Sequence, residues 1–266
     1  MSFTLLTCNI LADSYIRREW YPHTPQQWLT PAVRHPALVA HLAASGADIL
    51  CLQEVETGMY RQLQERLAPA GYAGALAIKG GNKPDGCATF WRTGFLPEQH
   101  RRIEYQDAHA GHPASGHIAQ ISVLRNGQRR LGIANTHLKW DPPKQGAGAQ
   151  YGLAQIGELI AAIGQCGRNA VPPCDAWVIC GDFNVTPDSP LITALGSAGY
   201  AHVHAAHPYA YTAAPNHSPR VIDYLFHSAA LAASPELPPP ITGETPLPGP
   251  AHPSDHLALS ARFAWQ

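Results

Sequence analysis

The fold is decided by the stretch Trp177-Val178-Ile179-Cys180-Gly181-Asp182-Phe183-Asn184, in which a buried-strand pattern runs into a tight turn. A short apolar run of this kind is typical of a strand inside a sheet. Glycine lets the following backbone bend without strain from a Cβ atom. We therefore expect the carboxylate of Asp182 and the amide of Asn184 to project from the end of one strand, within reach of a common ligand.

Four other predicted strands also meet polar residues at one end. Residues 3–8 lead to Asn9, residues 49–52 lead to Gln53 and Glu54, residues 131–134 lead to Asn135, Thr136 and His137, and Ser254, Asp255 and His256 open the final predicted strand, residues 257–263. Polar groups that converge at the edge of an apolar scaffold are expected of an active site held by rigid elements.

The remaining pattern predicts an α/β fold. Leu38, Val39 and Leu42 repeat at helical spacing, and residues 153–163 form a second amphipathic segment. Asn126-Gly127 lies between two apolar runs and predicts a β-hairpin. About eight strands with four helices among them indicate two packed sheets covered by helices. The proline-rich residues 234–253 are predicted to be a surface excursion before the last strand.

Length and charge limit the function classes. The chain has 266 residues, 45% of them hydrophobic, and the candidate site residues run from Asn9 to His256. We therefore predict a single catalytic domain over residues 1–266, because a cut in the middle would divide the site. Lys and Arg number 18 against 19 Asp and Glu. A broad nucleic-acid surface normally has a basic excess, so any nucleic acid must be bound locally, or the substrate is small.

Cysteine usage and hydropathy predict the cellular location of the protein. The six cysteines contain no CxxC pair, and no apolar run approaches the roughly 20 residues of a membrane span. The first residues lack the charged and apolar regions of a signal peptide. These features predict a cytoplasmic protein without a membrane partner, and no protein partner is evident.

The candidate site residues are oxygen donors and imidazoles. They are Asn9, Glu54, His137, Asp182, Asn184, Asp223, Asp255 and His256. Hard oxygen donors with few nitrogen ligands suit Mg²⁺ or Mn²⁺ better than Zn²⁺. The chain contains no GxSxG, P-loop, HExxH or strand-linked GxGxxG motif. The inventory favours metal-assisted hydrolysis of a phosphoester.

Each of these residues also has an ordinary structural explanation. An asparagine at a strand end is usually a turn former, and a glutamate there is usually solvated. Asp223 is different because it lies in a predicted strand, where an unpaired buried carboxylate costs several kcal/mol. Its predicted partner is His256, since an Asp bound to one imidazole nitrogen fixes the tautomer that the other nitrogen uses.

Six motifs in chain order resemble the endonuclease/exonuclease/phosphatase superfamily, and within it the deadenylase branch that includes nocturnin, the Angel proteins and the poly(A)-shortening subunits. They are Leu52-Gln53-Glu54-Val55-Glu56, Lys83-Pro84-Asp85-Gly86-Cys87-Ala88, Asn135-Thr136-His137-Leu138-Lys139-Trp140-Asp141-Pro142, Gly181-Asp182-Phe183-Asn184, Ile222-Asp223-Tyr224 and Pro253-Ser254-Asp255-His256. The chain departs from the superfamily at Leu11, where other members carry an acid.

The resemblance implies a four-layer sandwich of two mixed β-sheets flanked by helices, and a Mg²⁺-dependent phosphohydrolase in which Mn²⁺ can substitute. It implies metal ligation by Glu54, Asn9, Asp182 and Asp255. Its implied catalytic residues are Asp182 and Asn184 on the attacking water, His137 and His256 on the phosphoryl oxygens, and Asp223 behind His256. Asn9 and Asp85 are implied to contact the substrate.

Three functional hypotheses follow. The first is a 3′ to 5′ exoribonuclease or nucleotide phosphodiesterase that acts on a single-stranded RNA end or a small nucleotide. The second is a phosphatase for a small phosphorylated nucleotide or for a 2′,3′-cyclic or 2′-phosphate end, favoured by the missing basic excess. The third is a catalytically silent binding module that has kept the scaffold.

Overall fold

The computed structural model describes residues 2–108, 113–141, 151–166, 173–206, 211–214, 219–242 and 244–266, which contain twelve strands and four α-helices. The strands are β1 (Ser2–Asn9), β2 (Ile49–Glu56), β3 (Tyr72–Ile78), β4 (Asp85–Arg92), β5 (Phe95–Glu104), β6 (Ile118–Asn126), β7 (Arg129–His137), β8 (Ala176–Asp182), β9 (Tyr200–His202), β10 (Asp223–Ser228), β11 (Leu231–Glu236) and β12 (Leu259–Trp265). The helices are α1 (Pro31–Ala44), α2 (Thr57–Leu67), α3 (Tyr151–Cys166) and α4 (Pro190–Ser197).

The strands form two six-stranded mixed sheets. The first has the order β11-β12-β1-β2-β4-β3, and the second has the order β5-β6-β7-β8-β10-β9. Each sheet contains one parallel pair, β1 with β2 and β7 with β8, and the other neighbours are antiparallel. The carboxyl ends of the two parallel pairs carry Asn9, Glu54, His137 and Asp182.

Alternation along each strand produces four layers, because successive side chains point to opposite faces of a sheet. In β1, Leu5 packs between the sheets, whereas Leu6 packs against α1 and α2. In β8, Val178 lies between the sheets and Ile179 packs against α3 and α4. The predicted four-layer α/β sandwich is therefore confirmed.

A buried polar cluster joins the facing sheets near the ends of β2 and β7. The Gln53 side-chain amide donates to Asn135 Oδ1 at 2.7 Å and to Thr7 Oγ1 at 3.0 Å. Asn135 Nδ2 donates to the carbonyls of Ala88 and Leu52, at 3.0 and 3.2 Å. Because buried amides are costly unless they are bonded, this cluster favours one alignment of the two sheets.

Several local predictions need correction. The sequence pattern identifies eight of the twelve strands found in the described residues and misses β3, β5, β9 and β11. The predicted excursion over residues 234–253 was wrong at its start, because β11 continues to Glu236. Pro235 is tolerated there since β11 is an edge strand. No helix in the described part of the chain is long and apolar enough to cross a membrane.

We predict that Asn135→Ala lowers the free energy of unfolding by roughly 1–3 kcal/mol, because Gln53 and two backbone carbonyls lose a buried partner. Urea unfolding followed by circular dichroism measures the change. The matched control is Gln64→Ala, an amide exposed on α2, which should change stability by less than about 0.5 kcal/mol. Equal stability of the two variants would contradict a structural role for the cluster.

Candidate active site

One asparagine side chain connects acids from the two sheets. Asn9 Nδ2, at the end of β1, donates to Glu54 Oε1 and to Asp182 Oδ2, both at 3.0 Å. Its own oxygen accepts from the backbone N–H of Leu11 at 3.0 Å. Glu54 Oε2 accepts from the backbone N–H of Ala12 at 2.9 Å. The two carboxylates are thus fixed relative to each other although they come from different sheets.

The backbone at the site adopts conformations that ordinary residues avoid. Glu54, Asn184 and Leu11 have φ values of 58°, 54° and 57°, in the left-handed region. Glu54 lies in a β-bulge, where the register of β2 against β4 shifts between Leu52 and Val55. Bulges re-aim side chains near active sites, and left-handed non-glycine residues persist only where the surrounding structure imposes them. The fold thus directs Glu54 away from the inter-sheet cluster and into the cavity described below.

The turn after β8 has the geometry that its sequence predicts. Gly181 has a φ of 137°, and a Cβ atom there would lie 1.8 Å from the carbonyl oxygen of Thr136. Asp182 Oδ1 accepts from the backbone N–H of Asn184 at 2.9 Å. Asn184 Nδ2 donates to the carbonyl of Leu138 at 2.9 Å. The side chains of Asp182 and Asn184 both line the same cavity.

His256 is held by the carboxylate predicted to orient it. Its Nδ1 lies 3.0 Å from both oxygens of Asp223, which pairs with Asp182 across β10 and β8. Its Nε2 lies 3.8 Å from Asp182 Oδ2. Burial alone would lower the pKa of His256, but the carboxylates of Asp223 and Asp182 outweigh burial and raise it well above its usual range. The contacts with Asp223 and Asp182 therefore favour the charged form of His256.

His137 faces the same acid from the other side but has the opposite charge preference. Its Nε2 lies 3.6 Å from Asp182 Oδ2, and its Nδ1 lies 3.2 Å from the ammonium of Lys79. Burial, followed by the positive charge of Lys79, lowers the pKa of His137 well below its usual range. The surroundings therefore favour a charged imidazole at His256 and a neutral imidazole at His137, and both rings lie beside Asp182.

The carboxylates of the site are crowded and buried. Burial raises the pKa of Asp182 to about 7, with Asp223 and Glu54 acting in the same direction and His256 opposing them. Burial also raises the pKa of Glu54, and Asp255 adds to the effect while Lys79 opposes it. Both shifts come mainly from burial, and a neighbouring carboxylate adds to each.

The chemistry of the acids that line the cavity suits a divalent cation. Glu54, Asp182 and Asp255 offer hard carboxylate oxygens to one cavity, and a bound cation would compensate their charge. Tyr21 OH donates to Asp255 Oδ2 at 3.0 Å. The other oxygen of Asp255, Oδ1, faces the hydroxyl of Ser254. The oxygen of Asn9 is bonded to Leu11, so this conformation uses Asn9 to hold the acids, and its direct contact with a metal or a substrate stays a prediction.

A second cluster with metal-ligand spacing includes His256 and its partner Asp223. Ligand atoms of Asp182, Asp223 and His256 lie within 4.8 Å of one another. However, His256 Nδ1 and both oxygens of Asp223 are already bonded to each other. This cluster therefore resembles a charge pair beside Asp182 more than an open set of ligands.

The cavity has a volume of about 510 Å³ and combines these polar groups with an aromatic wall. It is lined by Leu11, Tyr15, Arg17, Trp20, Tyr21, Glu54, His137, Trp140, Asp182, Asn184, Arg220, Ile222, Asp255 and His256. Trp20 and Trp140 are 44% and 47% exposed. Six of the predicted site residues line it, whereas Asn9, Asp223 and Asp85 lie behind it. Pro142, in one of the six motifs, lies outside the described residues.

Asp85 is fully buried beneath the cavity. Its Oδ2 lies 2.6 Å from Lys79 Nζ, and its Oδ1 accepts from Tyr15 OH at 2.6 Å. Both oxygens are therefore occupied by protein groups. Its contact with substrate stays a prediction, and its position indicates that it acts through Lys79 and Tyr15.

Sequence reasoning missed Lys79 and most of the aromatic wall. Lys79 directly follows β3, a strand made largely of alanine and glycine that lacks a clear apolar pattern. The wall residues Tyr15, Trp20 and Tyr21 belong to the irregular segment between β1 and α1, whose aromatic content was the only signal. Aromatic residues in an irregular segment do not reveal which side they face.

Two anchors hold this segment against the sandwich. Buried Arg34 of α1 pairs with Asp13 and donates to the carbonyl of Ile10 at 2.8 Å. His35 Nε2 lies 2.8 Å from the same Asp13 carboxylate. Thr24 Oγ1 donates to the carbonyl of Leu247 at 2.8 Å. The cavity wall is therefore tied to α1 and to the chain before β12.

Comparison with known proteins identifies the family. Residues 6–256 match the model of the Endonuclease/Exonuclease/phosphatase family. The chain belongs to this family. The superfamily predicted from the six motifs is therefore confirmed, and the relatives below include members of the predicted branch.

Curated relatives of this family member match parts of longer proteins. Carbon catabolite repressor protein 4 homolog 6 of Arabidopsis thaliana is 32% identical over 216 residues, covering 71% of this chain and 26% of the relative. 2′,5′-phosphodiesterase 12 of Mus musculus is 27% identical over 321 residues, covering 97% and 51%. Protein angel homolog 2 of Danio rerio is 31% identical over 199 residues, covering 72% and 34%. The chain thus spans about a quarter to a half of these relatives.

Solved structures share the fold over almost the whole chain. ANGEL2, described as a 2′,3′-cyclic phosphatase in complex with adenosine-2′,3′-vanadate, superposes with a TM-score of 0.84 at 22% identity, over 99% of this chain and 95% of that chain. The human Nocturnin catalytic domain superposes with a TM-score of 0.74 at 24% identity, over 100% and 95%. At these identities the likeness supports the architecture and not a shared substrate.

We predict that Asp13→Asn destabilises the protein in a pH-dependent way. Burial raises the pKa of Asp13, but the bonds from His35 and Arg34 outweigh burial and lower it. A lowered folded-state pKa stabilises the protein above the unfolded-state value of about 3.9 and loses this effect as the pH falls through the folded-state value. Urea unfolding of the two proteins between pH 6 and pH 3 should show a difference that shrinks toward low pH.

The matched control for this measurement is Glu65→Gln, an exposed carboxylate on α2. Its stability should follow that of the unmodified protein at each pH. A destabilisation by Asp13→Asn that is the same at pH 6 and pH 3 would show that the charge of Asp13 does not anchor the cavity wall.

Proposed function

We propose that the protein is a Mg²⁺- or Mn²⁺-dependent phosphodiesterase that removes nucleotides from single-stranded RNA ends or cleaves small nucleotide diesters. The observation that carries this proposal is a single cavity that contains the carboxylates of Glu54, Asp182 and Asp255 together with His137 and His256. Crowded acids suit a divalent cation, and hydrogen-bond donors opposite them suit the oxygens of a phosphoryl group.

The cation would be held by Glu54, with Asp182 and Asp255 beside it. When bound, it would supply Lewis-acid polarisation of a phosphoryl oxygen and would neutralise charge in the transition state. The crowding of these acids supports this placement, because burial and Asp255 together raise the pKa of Glu54.

Side chains of the protein transfer the proton and stabilise the charge that develops in the reaction. Asp182, whose carboxylate lines the cavity, accepts a proton from the attacking water. Asn184, whose backbone N–H is fixed on Asp182, orients the same water. His256, in its charged form, donates a hydrogen bond from Nε2 to a phosphoryl oxygen, because its Nδ1 is already bonded to Asp223. His137 donates from the other side of Asp182 to a phosphoryl oxygen.

The outer cavity favours a nucleotide over a simple phosphate. The half-exposed indole rings of Trp20 and Trp140 line its rim, and exposed aromatic rings are the usual platforms on which unpaired bases stack. Arg17 and Arg220 add positive charge to the same wall. The net charge of the whole chain is only −1, so we propose recognition of one nucleic-acid end in the cavity and not of a long surface track.

A second function is a phosphatase for a 2′,3′-cyclic or 2′-phosphate end. The missing basic excess supports it, and a protein of the same fold is described as a 2′,3′-cyclic phosphatase. A catalytically silent binding module has less support, because six predicted site residues line one cavity and two more support them from behind. The cytoplasmic location predicted from the sequence stays a prediction.

Product analysis separates the two activities. Purified protein with Mg²⁺ is incubated with labelled oligo(A), a panel of other single-stranded RNAs, and oligonucleotides that end in a 2′,3′-cyclic phosphate or a 2′-phosphate. Stepwise shortening with release of nucleoside monophosphates supports the phosphodiesterase. Release of inorganic phosphate without shortening assigns the phosphatase, and intact substrates throughout contradict both.

We predict that Glu54→Gln and Asp182→Asn each lower kcat/KM by about 10²–10⁴-fold, since each removes a charge that the reaction uses. Each variant keeps nearly the same shape, and circular dichroism checks its fold. Glu65→Gln, on the exposed face of α2, is the matched control and should retain full activity. Activity of Glu54→Gln equal to that of the control would contradict the proposed role of the cavity.

We predict that Trp140→Ala raises KM for RNA ends about 5- to 150-fold, the loss expected for one base–aromatic stack of about 1–3 kcal/mol. The turnover number should change little, because stacking holds the base equally in the bound substrate and in the transition state. Leu96→Ala replaces a similarly exposed apolar residue that does not line the cavity, and it should leave KM unchanged. An unchanged KM in Trp140→Ala would exclude stacking on this ring.

A further inference from the structure

A buried lysine contacts the back of the catalytic histidine. Lys79 directly follows β3, and its side chain is almost fully buried. Its Nζ lies 2.6 Å from Asp85 Oδ2 and 3.2 Å from His137 Nδ1. The backbone N–H of Lys79 also donates to the carbonyl of Asp85 at 2.9 Å. Both ends of the lysine are therefore fixed by Asp85 at the start of β4.

The partner of Lys79 is itself fixed. The second oxygen of Asp85 accepts from Tyr15 OH at 2.6 Å. An unpaired buried ammonium would be costly, and a bonded carboxylate at this distance offsets that cost. Lys79 is thus held as an ammonium whose remaining hydrogens include one directed at the imidazole of His137.

This contact determines the protonation of His137. A lysine ammonium has three N–H donors and no acceptor, so Nδ1 of His137 must offer its lone pair. A neutral imidazole carries one N–H group, which then sits on Nε2. The carboxylate that would favour a charged ring is farther away, since His137 Nε2 lies 3.6 Å from Asp182 Oδ2.

Asn184, on the other side of the ring, competes with Lys79 for the lone pair of the neutral imidazole. Asn184 Nδ2 lies 3.1 Å from His137 Nε2, and the same nitrogen donates to the carbonyl of Leu138 at 2.9 Å. Both neighbours of the ring therefore present N–H groups, whereas a neutral imidazole has a single lone pair. The charged donor, held by Asp85, forms the stronger bond. The Nε2–H group then faces the cavity and has an amide N–H as its nearest neighbour.

We propose that Lys79 is a positioning residue that holds His137 in the neutral Nε2–H tautomer, so that His137 donates a hydrogen bond to a substrate oxygen and does not act as a base. The part that concerns the substrate oxygen rests on the proposed phosphoesterase function, whereas the tautomer does not. An acceptor oxygen in the cavity resolves the competition, because Nε2–H and the Asn184 amide can then both donate to it.

The two imidazoles of the site therefore have opposite partners at Nδ1, an acceptor for His256 and a donor for His137. Asp223 accepts from Nδ1 of His256 and favours its charged form, whereas Lys79 donates to Nδ1 of His137 and favours its neutral form. Both rings direct an N–H group toward the position beside Asp182.

Nitrogen NMR tests the tautomer directly and without any substrate. The full chain is labelled with ¹⁵N at histidine, and the signals of His137 are assigned by their loss in His137→Gln. We expect the unmodified protein at neutral pH to show an unprotonated Nδ1 and a protonated Nε2. We expect Lys79→Met, which keeps the length of the side chain and removes the donor, to shift His137 toward the Nδ1–H tautomer.

Two further variants keep the test decisive. Because Lys79→Met leaves Asp85 buried without its cation, the double variant Lys79→Met/Asp85→Asn removes both charges together and should show the same tautomer shift. Lys83→Met is the matched control, since the charge of Lys83 also acts on His137 without contact, and its spectrum should match that of the unmodified protein. An Nδ1–H tautomer or an imidazolium in the unmodified protein overturns the proposal, as does an unchanged tautomer in both Lys79 variants.

Kinetics provide an independent readout. Loss of a group that orients a catalytic side chain typically lowers activity about 10–100-fold, and we expect this loss in kcat with little change in KM. A correct tautomer in a protein that hydrolyses no phosphoester would support the role of Lys79 and contradict the proposed function. An active phosphoesterase that holds His137 in the other tautomer would support the proposed function and contradict the role of Lys79.

Discussion

The active site depends on the bridge from Asn9 to Glu54 and Asp182. These acids lie at the ends of strands in different sheets, and one amide nitrogen holds both at 3.0 Å. The neighbouring Gln53–Asn135 bond, at 2.7 Å, aligns the sheets just beneath them. Burying two carboxylates close together is unfavourable, so the sandwich accepts this arrangement only because packing on both sides of each sheet fixes the strand ends.

The charge distribution around Asp182 follows from that constraint. His256, His137 and Asn9 approach the same oxygen from three directions, at 3.8, 3.6 and 3.0 Å. The partner behind each imidazole decides its state, a carboxylate for His256 and an ammonium for His137. Burial raises the pKa of Asp182 although His256 opposes the shift. An acid in this state beside two imidazole N–H donors has the properties that phosphoester hydrolysis requires.

The sequence predicts the two sheets, the helices and the polar strand ends, because apolar periodicity and turn chemistry are local signals. It does not predict β3, whose small residues lack alternation, or β9, which has only three residues. For the same reason Lys79, at the end of β3, stays hidden. The family resemblance places Asp85 at the substrate, whereas its two oxygens are bonded to Lys79 and Tyr15. Which atoms a buried acid contacts is decided by tertiary packing, and local sequence does not record it.

The most direct test of this account is anomalous diffraction from crystals soaked in Mn²⁺ with a nucleotide monophosphate. The account predicts one strong peak within coordination distance of a Glu54 carboxylate oxygen, on the side of the cavity shared with Asp182 and Asp255, and a phosphate between that peak and the Nε2 atoms of His137 and His256. A peak held by Asp223 and His256 with none at Glu54, or a phosphate bound outside the cavity, would contradict it.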